Sequence, residues 1–301
     1  MTSRAPGMDH DLYGFDPIVS RKPFTFNGLK TAMHLVLHLE YWELCPPPGS
    51  YREPRLLGEL RTSTFPPEIR NWTTREYGNR IGIYRIFDLL DKLGMEPCVA
   101  LGAAMVQTHP ELVREVRDRG WEVVSHGFSA NRMITSRMEA DNERQFICDC
   151  QEMVATAIGK RPEGWLSQDF GTTEATTSIL HELGFTYTLD WANDALPYWQ
   201  CAGANKRALI SIPGPTELDD VQQIVIRQFP PERFPDLVED MLTGCAKLPH
   251  ASVNCIGIHP WVMGTPHRFP YLHETLRRIA NRKDFFFTTP GEIARRFISN
   301  H

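Results

Sequence analysis

Between residues 32 and 40 the chain alternates strictly. Leu35, Leu37 and Leu39 fall on one side, and His34, Val36, His38 and Glu40 on the other. This is the period of two that marks a strand. Further along, the period switches repeatedly between helix and strand. Helical spacing covers 80–93, 110–119, 136–158, 172–183, 234–247, 271–281 and 290–298. Gly94, Gly120, Gly159 and Gly184 follow the first four of these segments, where a helix commonly ends in a left-handed residue. Short apolar runs lie between them at 97–101, 121–125, 164–166, 185–189, 209–212, 255–258 and 285–287. Strands separated by helices of this length run parallel through crossovers. About seven or eight such units predict an α/β chain whose strands form a barrel rather than an open sheet. No linker or short repeat breaks the pattern, so one barrel domain is expected over 31–298. Residues 1–30 lack periodicity and read as an arm that packs on the surface or on a neighbouring subunit. A Pro-, Gly- and Arg-rich excursion at 45–72 reads as a lid or interface segment.

Composition narrows the function. The 301 residues are 42% hydrophobic and 23% charged, with a formal net charge of −5. The basic residues are scattered, which argues against a nucleic-acid partner. The seven cysteines show no framework spacing and no CxxC pair, so reduced thiols in a cytoplasmic protein are expected. Residues 1–16 contain no apolar h-region, so no signal peptide is expected, and no apolar run is long enough to cross a membrane. Leu56, Leu57, Phe65 and Trp72 in the excursion are apolar groups that a partner would cover. A homodimer or homotetramer is expected.

In a barrel of this kind the chemistry gathers at the C-terminal ends of the strands. Those ends carry Glu40-Tyr41-Trp42-Glu43, Ser125-His126-Gly127, Trp165 followed by Gln168-Asp169, a run from Asp190 through Asp194 to Trp199, and His259-Pro260-Trp261. Acids, two histidines and several tryptophans at one rim can supply a base, an acid and an aromatic wall. His34 and His38 share the Glu40 face and read as buried supporting residues, with His38 close enough to orient Glu40.

The order of these residues over 31–298 resembles the polysaccharide deacetylase family, also called the NodB homology family. The resemblance implies a distorted (β/α) barrel. In that family the first strand ends in Phe-Asp-Asp-Gly, a base followed by a metal ligand; here Leu39-Glu40-Tyr41-Trp42 stands in its place. The family's His-Ser/Thr-x-x-His reads His126-Gly-Phe-Ser-Ala130. Two usual metal ligands are thus replaced by Tyr41 and Ala130, and the expectation is a site with no metal and no other cofactor. Several short runs are similar to the cofactor-independent, allantoinase-like (PuuE-type) branch and to cyclic imide hydrolases. They are Ser125–Phe128, Arg75–Gly78, Arg161–Trp165, Asn193–Trp199 and Ile258–Pro266. The stretch 217–227 departs from that branch's pattern.

The resemblance implies a hydrolase that opens a C–N bond in a small cyclic amide such as allantoin, hydantoin or a cyclic imide. Glu40 would be the base that takes a proton from water. His126 would position the water or polarise the carbonyl, and His259 would protonate the leaving nitrogen. Backbone N–H groups near Tyr41 or Trp42 would face the oxyanion. Tyr41, Trp42, Arg161, Trp165, Gln168, Asp194 and Trp261 are the expected substrate contacts. Three alternatives stand beside this reading. One is a metal-dependent carbohydrate de-N-acetylase, with Glu40, His126 and His259 holding the ion together. Another is a hydrolase of a related xenobiotic ring or lactone. The third is an inactive binding protein.

Overall fold

The computed structural model describes residues 9–51, 66–202 and 207–300. Leu56, Leu57 and Phe65, expected to face a partner, lie outside the described residues. Ten strands form one sheet: β1 (Thr31–Leu39), β2 (Cys98–Leu101), β3 (Glu122–Ser125), β4 (Gly164–Trp165), β5 (Tyr187–Thr188), β6 (Tyr198–Cys201), β7 (Arg207–Ser211), β8 (Leu218–Asp219), β9 (Ser252–Ile258) and β10 (Phe286–Phe287). The order is β6-β7-β5-β4-β3-β2-β1-β9-β8, with β10 also pairing β1. Every pair is parallel except the antiparallel β6–β7 hairpin, which the spacing of the sequence does not predict. The sheet curls into a partial barrel whose path ends on β6 and β8.

The ten described α-helices are α1 (Ile69–Tyr77), α2 (Ile83–Leu93), α3 (Met105–Thr108), α4 (Pro110–Arg119), α5 (Ala140–Ile158), α6 (Thr176–Glu182), α7 (Phe234–Lys247), α8 (Pro260–Met263), α9 (Phe269–Asn281) and α10 (Pro290–Asn300). None of them is long and apolar enough to cross a membrane. The helical stretch expected from residue 80 in fact starts earlier, with α1, and reaches α2 through a π-helical turn at Gly78–Gly82.

The alternation in β1 sorts side chains into two layers. Met33, Leu35, Leu37 and Leu39 face the helices, where they meet Ile83, Ile86 and Phe87 of α2, Leu112 and Val116 of α4, Val238 and Leu242 of α7, and Leu272 and Leu276 of α9. Ala32 and Val36 belong to an inner layer with Cys98, Ala100, Val124, Tyr187, Leu189, Val253 and Cys255. Helix α10 packs into the N-terminal mouth of this layer with Ile293, Ala294 and Phe297. There Glu122 accepts the Gly291 N–H at 2.8 Å and the Tyr187 hydroxyl, which ties β3 to the start of α10 and to β5. The apolar filling of this end leaves the C-terminal mouth for polar groups.

The described part of the arm folds onto the same chain. Leu12 accepts the Cys201 N–H at 2.7 Å, Tyr13 meets the edges of Trp191 and Tyr198, and Arg21 bonds both oxygens of Asp194. These contacts cover the edge strand β6, whose unpaired backbone would otherwise invite another strand.

One packing contact positions the site. The π-helical turn lies backbone against backbone on α8. A Cβ on Gly78 would overlap the Trp261 backbone nitrogen, and one on Gly82 would overlap the Pro260 carbonyl. Gly78→Ala should therefore destabilise the protein by about 1–3 kcal/mol, the usual range for overpacking. Gly244→Ala, at an exposed helical position with open space around it, should stabilise by roughly 0.5–1 kcal/mol. Urea midpoints at constant slope check both; equal midpoints for the two variants would contradict the contact.

Candidate active site

The inner face of β1 ends in His38 and then Glu40, just past the strand. Residues from three other strand ends meet them: His126 after β3, Asp219 in β8 with Asp220 beyond it, and His259 after β9. His38, Glu40, His126, Asp219 and His259 line one cavity with Arg75, Ala130, Leu166, Ser167, Gln168, Asp169, Phe170, Val221, Gln222 and Trp261; Asp220 is outside the lining and bonds His259. The cavity opens to solvent, and the space within it, counted together with its open mouth, is about 550 Å³.

Gly127 turns the chain with φ +58°, a left-handed value that costs glycine little, and the His126 ring enters the cavity. Its Nδ1 lies 2.6 Å from the Leu166 carbonyl and its Nε2 lies 2.8 Å from Glu40 Oε1. A carbonyl only accepts, so Nδ1 carries the hydrogen of that bond, and Nε2 faces Glu40 Oε1 and, at 3.3 Å, His38 Nδ1. Gln168 donates to the His126 carbonyl at 2.8 Å and so braces the turn. Asp190 accepts the Ser167 N–H and hydroxyl and fixes the loop that carries Gln168. Burial, which acts first to push the Asp190 carboxyl up against these bonds, brings it to about 6.

Glu40 is anchored through one oxygen. Burial alone would raise its carboxyl, but the bond from His126, the His38 ring 3.7 Å away and the charge of His259 outweigh burial and hold it well below the usual range. Among the described residues, Oε2 takes no hydrogen bond. One carboxylate oxygen is thus fixed while the other is left for a ligand or water.

His259 is organised differently. Asp220 accepts its backbone N–H at 2.9 Å and its Nδ1–H at 2.7 Å. Burial would lower the ring, but the carboxylates of Asp219 and Asp220 raise it to about 9. His38 stacks on it with centroids 3.9 Å apart and planes 11° apart. Burial and the neighbouring His259 charge push His38 down to about 3, so it is the neutral ring between two charged centres.

The sequence-based expectations divide here. Glu40, His126 and His259 meet around the cavity, and so do Gln168 and Trp261. Trp42 lies buried behind the cavity with Arg75 3.9 Å above its ring, and Arg75 also lies 4.7 Å from the Trp261 ring. Tyr41 packs against the outer core beside Glu40. Trp165 points outward, against Phe185. Arg161 lies before β4, at the opposite end of the strands, and bonds Gln151 and the Leu183 carbonyl rather than Asp169 or Asp194. Asp194 is held by Arg21. Asp219, Asp220 and Arg75 were not among the expected site residues. Asp219-Asp220 lies in the stretch 217–227, and Arg75 opens the Arg75–Gly78 run.

In the family that the sequence resembles, a metal is the usual resource at this place. Two groups bring three donor atoms within 4.8 Å: His38, Glu40 and His126, and His38, Asp219 and His259. His38, not His259, completes the set with Glu40 and His126. In the first group the 2.8 Å between His126 Nε2 and Glu40 Oε1 is hydrogen-bond length, shorter than the roughly 3.3 Å between two donors bound at about 2.0–2.1 Å to one tetrahedral zinc. In the second, His259 Nδ1 is taken by Asp220. The family's further ligand positions are Tyr41 and Ala130. The residues present do not fit the family's metal, and the chemistry below uses none.

Comparison with known proteins agrees with this architecture. Residues 72–188 match the family model named Polysaccharide deacetylase. The fold is similar to that of a PuuE allantoinase, with a TM-score of 0.81 and 23% identity over 98% of both chains. A Schizosaccharomyces pombe protein that bears a provisional polysaccharide deacetylase name is 25% identical over 250 residues, 75% of each chain. A peptidoglycan deacetylase of Helicobacter pylori is 26% identical over 128 residues, 42% of this chain and 43% of its own. The chain is thus similar to polysaccharide deacetylases over residues 72–188, and its fold is similar to that of the allantoinase over nearly its whole length.

Proposed function

We propose that this deacetylase-type hydrolase opens the C–N bond of a small cyclic amide, a ureide or imide ring, by base-assisted attack of water. The observation that carries the reading is the division of labour in one cavity. Glu40 offers an ionised oxygen that takes no hydrogen bond from the described residues, and His259 keeps its charge up to about 9 within the same walls. Support also comes from the likeness of fold to an allantoinase over nearly the whole chain.

In this mechanism Glu40 Oε2 takes a proton from water as the oxygen attacks a ring carbonyl. His126, fixed by the Leu166 carbonyl, holds the carboxylate in place through Oε1. His259 gives its proton to the departing nitrogen. The nitrogen stays tethered in the opened product, so the proton must arrive before the ring recloses. Apolar side chains of Leu166, Phe170, Val221 and Trp261 exclude bulk water from part of the wall, which strengthens each charge inside. The protein binds a small cyclic substrate and meets no nucleic acid and no membrane in this reading. The protein works in the cytoplasm as a homodimer or homotetramer.

A panel of allantoin, hydantoin, succinimide, dihydrouracil and N-acetylglucosamine oligomers, assayed with and without a chelator, tests the substrate class. Turnover is expected on a ring and is expected to survive chelation. Turnover on the sugar oligomers alone, or activity abolished by the chelator and restored by zinc, would reject the reading. Glu40→Gln should lower kcat by about 10²–10⁴ with little change in KM; near wild-type kcat would remove Glu40 as the base. The pH dependence follows from the sign of the His259 shift. Its folded value lies above the ordinary 6.5, so the proton-bearing form persists through neutrality and is lost as the pH rises through about 9. Plots of kcat/KM should stay flat across neutrality and fall above that point, and a fall beginning near 6.5 would contradict it.

A further inference from the structure

His259 faces two carboxylates, and the mechanism above needs only one of them. Asp220 makes both hydrogen bonds to His259. Asp219 makes none: its Oδ2 stands 3.7 Å from His259 Nδ1 and 3.9 Å from His38 Nε2. Its Oδ1 accepts the Gln222 N–H at 2.9 Å. The fold nevertheless makes room for this carboxylate. Asp219 pairs across the sheet with Gly257 of β9, and a methyl group on Gly257 would overlap Oδ2. Beside it, His38 Nε2 is a buried nitrogen without a hydrogen-bond partner among the described residues. The carboxylate thus sits at the shared edge of two stacked imidazoles.

Two rings stacked at 3.9 Å cannot both hold a charge at low cost, because like charges at that range repel strongly where water is scarce. Something must decide which ring takes the proton. We propose that Asp219 is a positioning residue that, together with Asp220, holds the donor proton on His259 rather than on His38. The proposal rests on the reading of His259 as the proton donor. Asp219 works through space, at a distance set by Gly257 and the Gln222 amide.

The groups facing His259 are few. Asp219 and Asp220 approach from β8 and the turn after it, His38 and Glu40 from β1, and Trp261 from its own helix. His126, Arg75 and Asp169 are the remaining charged or titratable groups of the cavity lining. Against the burial that would discharge His259, Asp219 is the largest opposing influence and Asp220 the next. Burial pushes the Asp219 carboxyl itself up to about 7, so its own proton also moves near neutrality.

Histidine-selective NMR titration of the substrate-free protein tests this directly. In the wild type the His259 ring should titrate near about 9. In Asp219→Asn the midpoint should fall by about one pH unit or more, the usual effect of losing an opposite charge at this range. Gly257→Ala, which displaces the carboxylate without removing it, should move the midpoint in the same direction and serves if the first variant does not fold. The basic limb of kcat/KM should move down by the same interval, which a merely structural defect would not produce. An unmoved His259 midpoint in folded variants, or a proton found on His38 in the wild type, overturns the proposal. A midpoint that moves while the rate limb stays in place removes His259 as the donor, and the proposal falls with that reading.

Discussion

Strand β1 is paired along both edges and buried along its whole length, so each of its side chains has only two directions to take. One direction meets helices, and leucine and methionine fill it. The other meets the interior of a curled sheet, and there the chain places His34, His38 and, just past the strand, Glu40. Polar groups in such a place must find partners or lose several kcal/mol to desolvation. The site follows from that requirement. His34 bonds the Pro213 carbonyl, deep in the barrel, and burial holds it down to about 4. Nearer the mouth, His38 and Glu40 find their partners in other strand ends, and those partners form the candidate site.

The charges are kept apart as two pairs. Glu40 and His126 are hydrogen-bonded on one side, and His259 and Asp220 on the far side. The neutral ring of His38 lies between them. This spacing lets a carboxylate act as an acceptor and an imidazolium as a donor within one cavity, without direct collapse of one onto the other. The packing outside the cavity serves the same end. Glycines in the π-helical turn let α1 and α2 press onto α8, which fixes the direction in which His259 and Trp261 leave β9. Arg75, stacked on Trp42 and Trp261, is carried into the wall by the same contact.

Much of this was readable before any coordinates. The period of two in residues 32–40 sorted the inner face from the outer one, and the rule that function collects at strand C-termini pointed to Glu40, His126 and His259. Other features were hidden for physical reasons. Strand β8 is two residues long, too short for any periodicity, so no pattern sets Asp219 and Asp220 at a strand end. Helix α1 has few apolar residues and reads as polar chain; its buried face is Asn71 and Arg75. Arg161 and Trp165 sit in one short run in sequence, but a strand has two ends and two faces. Arg161 falls at the wrong end and Trp165 on the wrong face. Asp194 is close to the rim in sequence, yet the arm claims it through Arg21, a contact between residues 173 apart that no local pattern announces.

The central claim is that Glu40 and His126 work as one unit. A double-mutant cycle measures this directly. Single-turnover rates would be taken on whichever ring is hydrolysed, for Glu40→Gln, His126→Gln and the double variant, with folding checked by melting. If the pair is one unit, the second substitution costs little once the first is made, and the double variant is about as slow as the slower single one. If the two losses multiply, Glu40 and His126 act independently and the account is wrong.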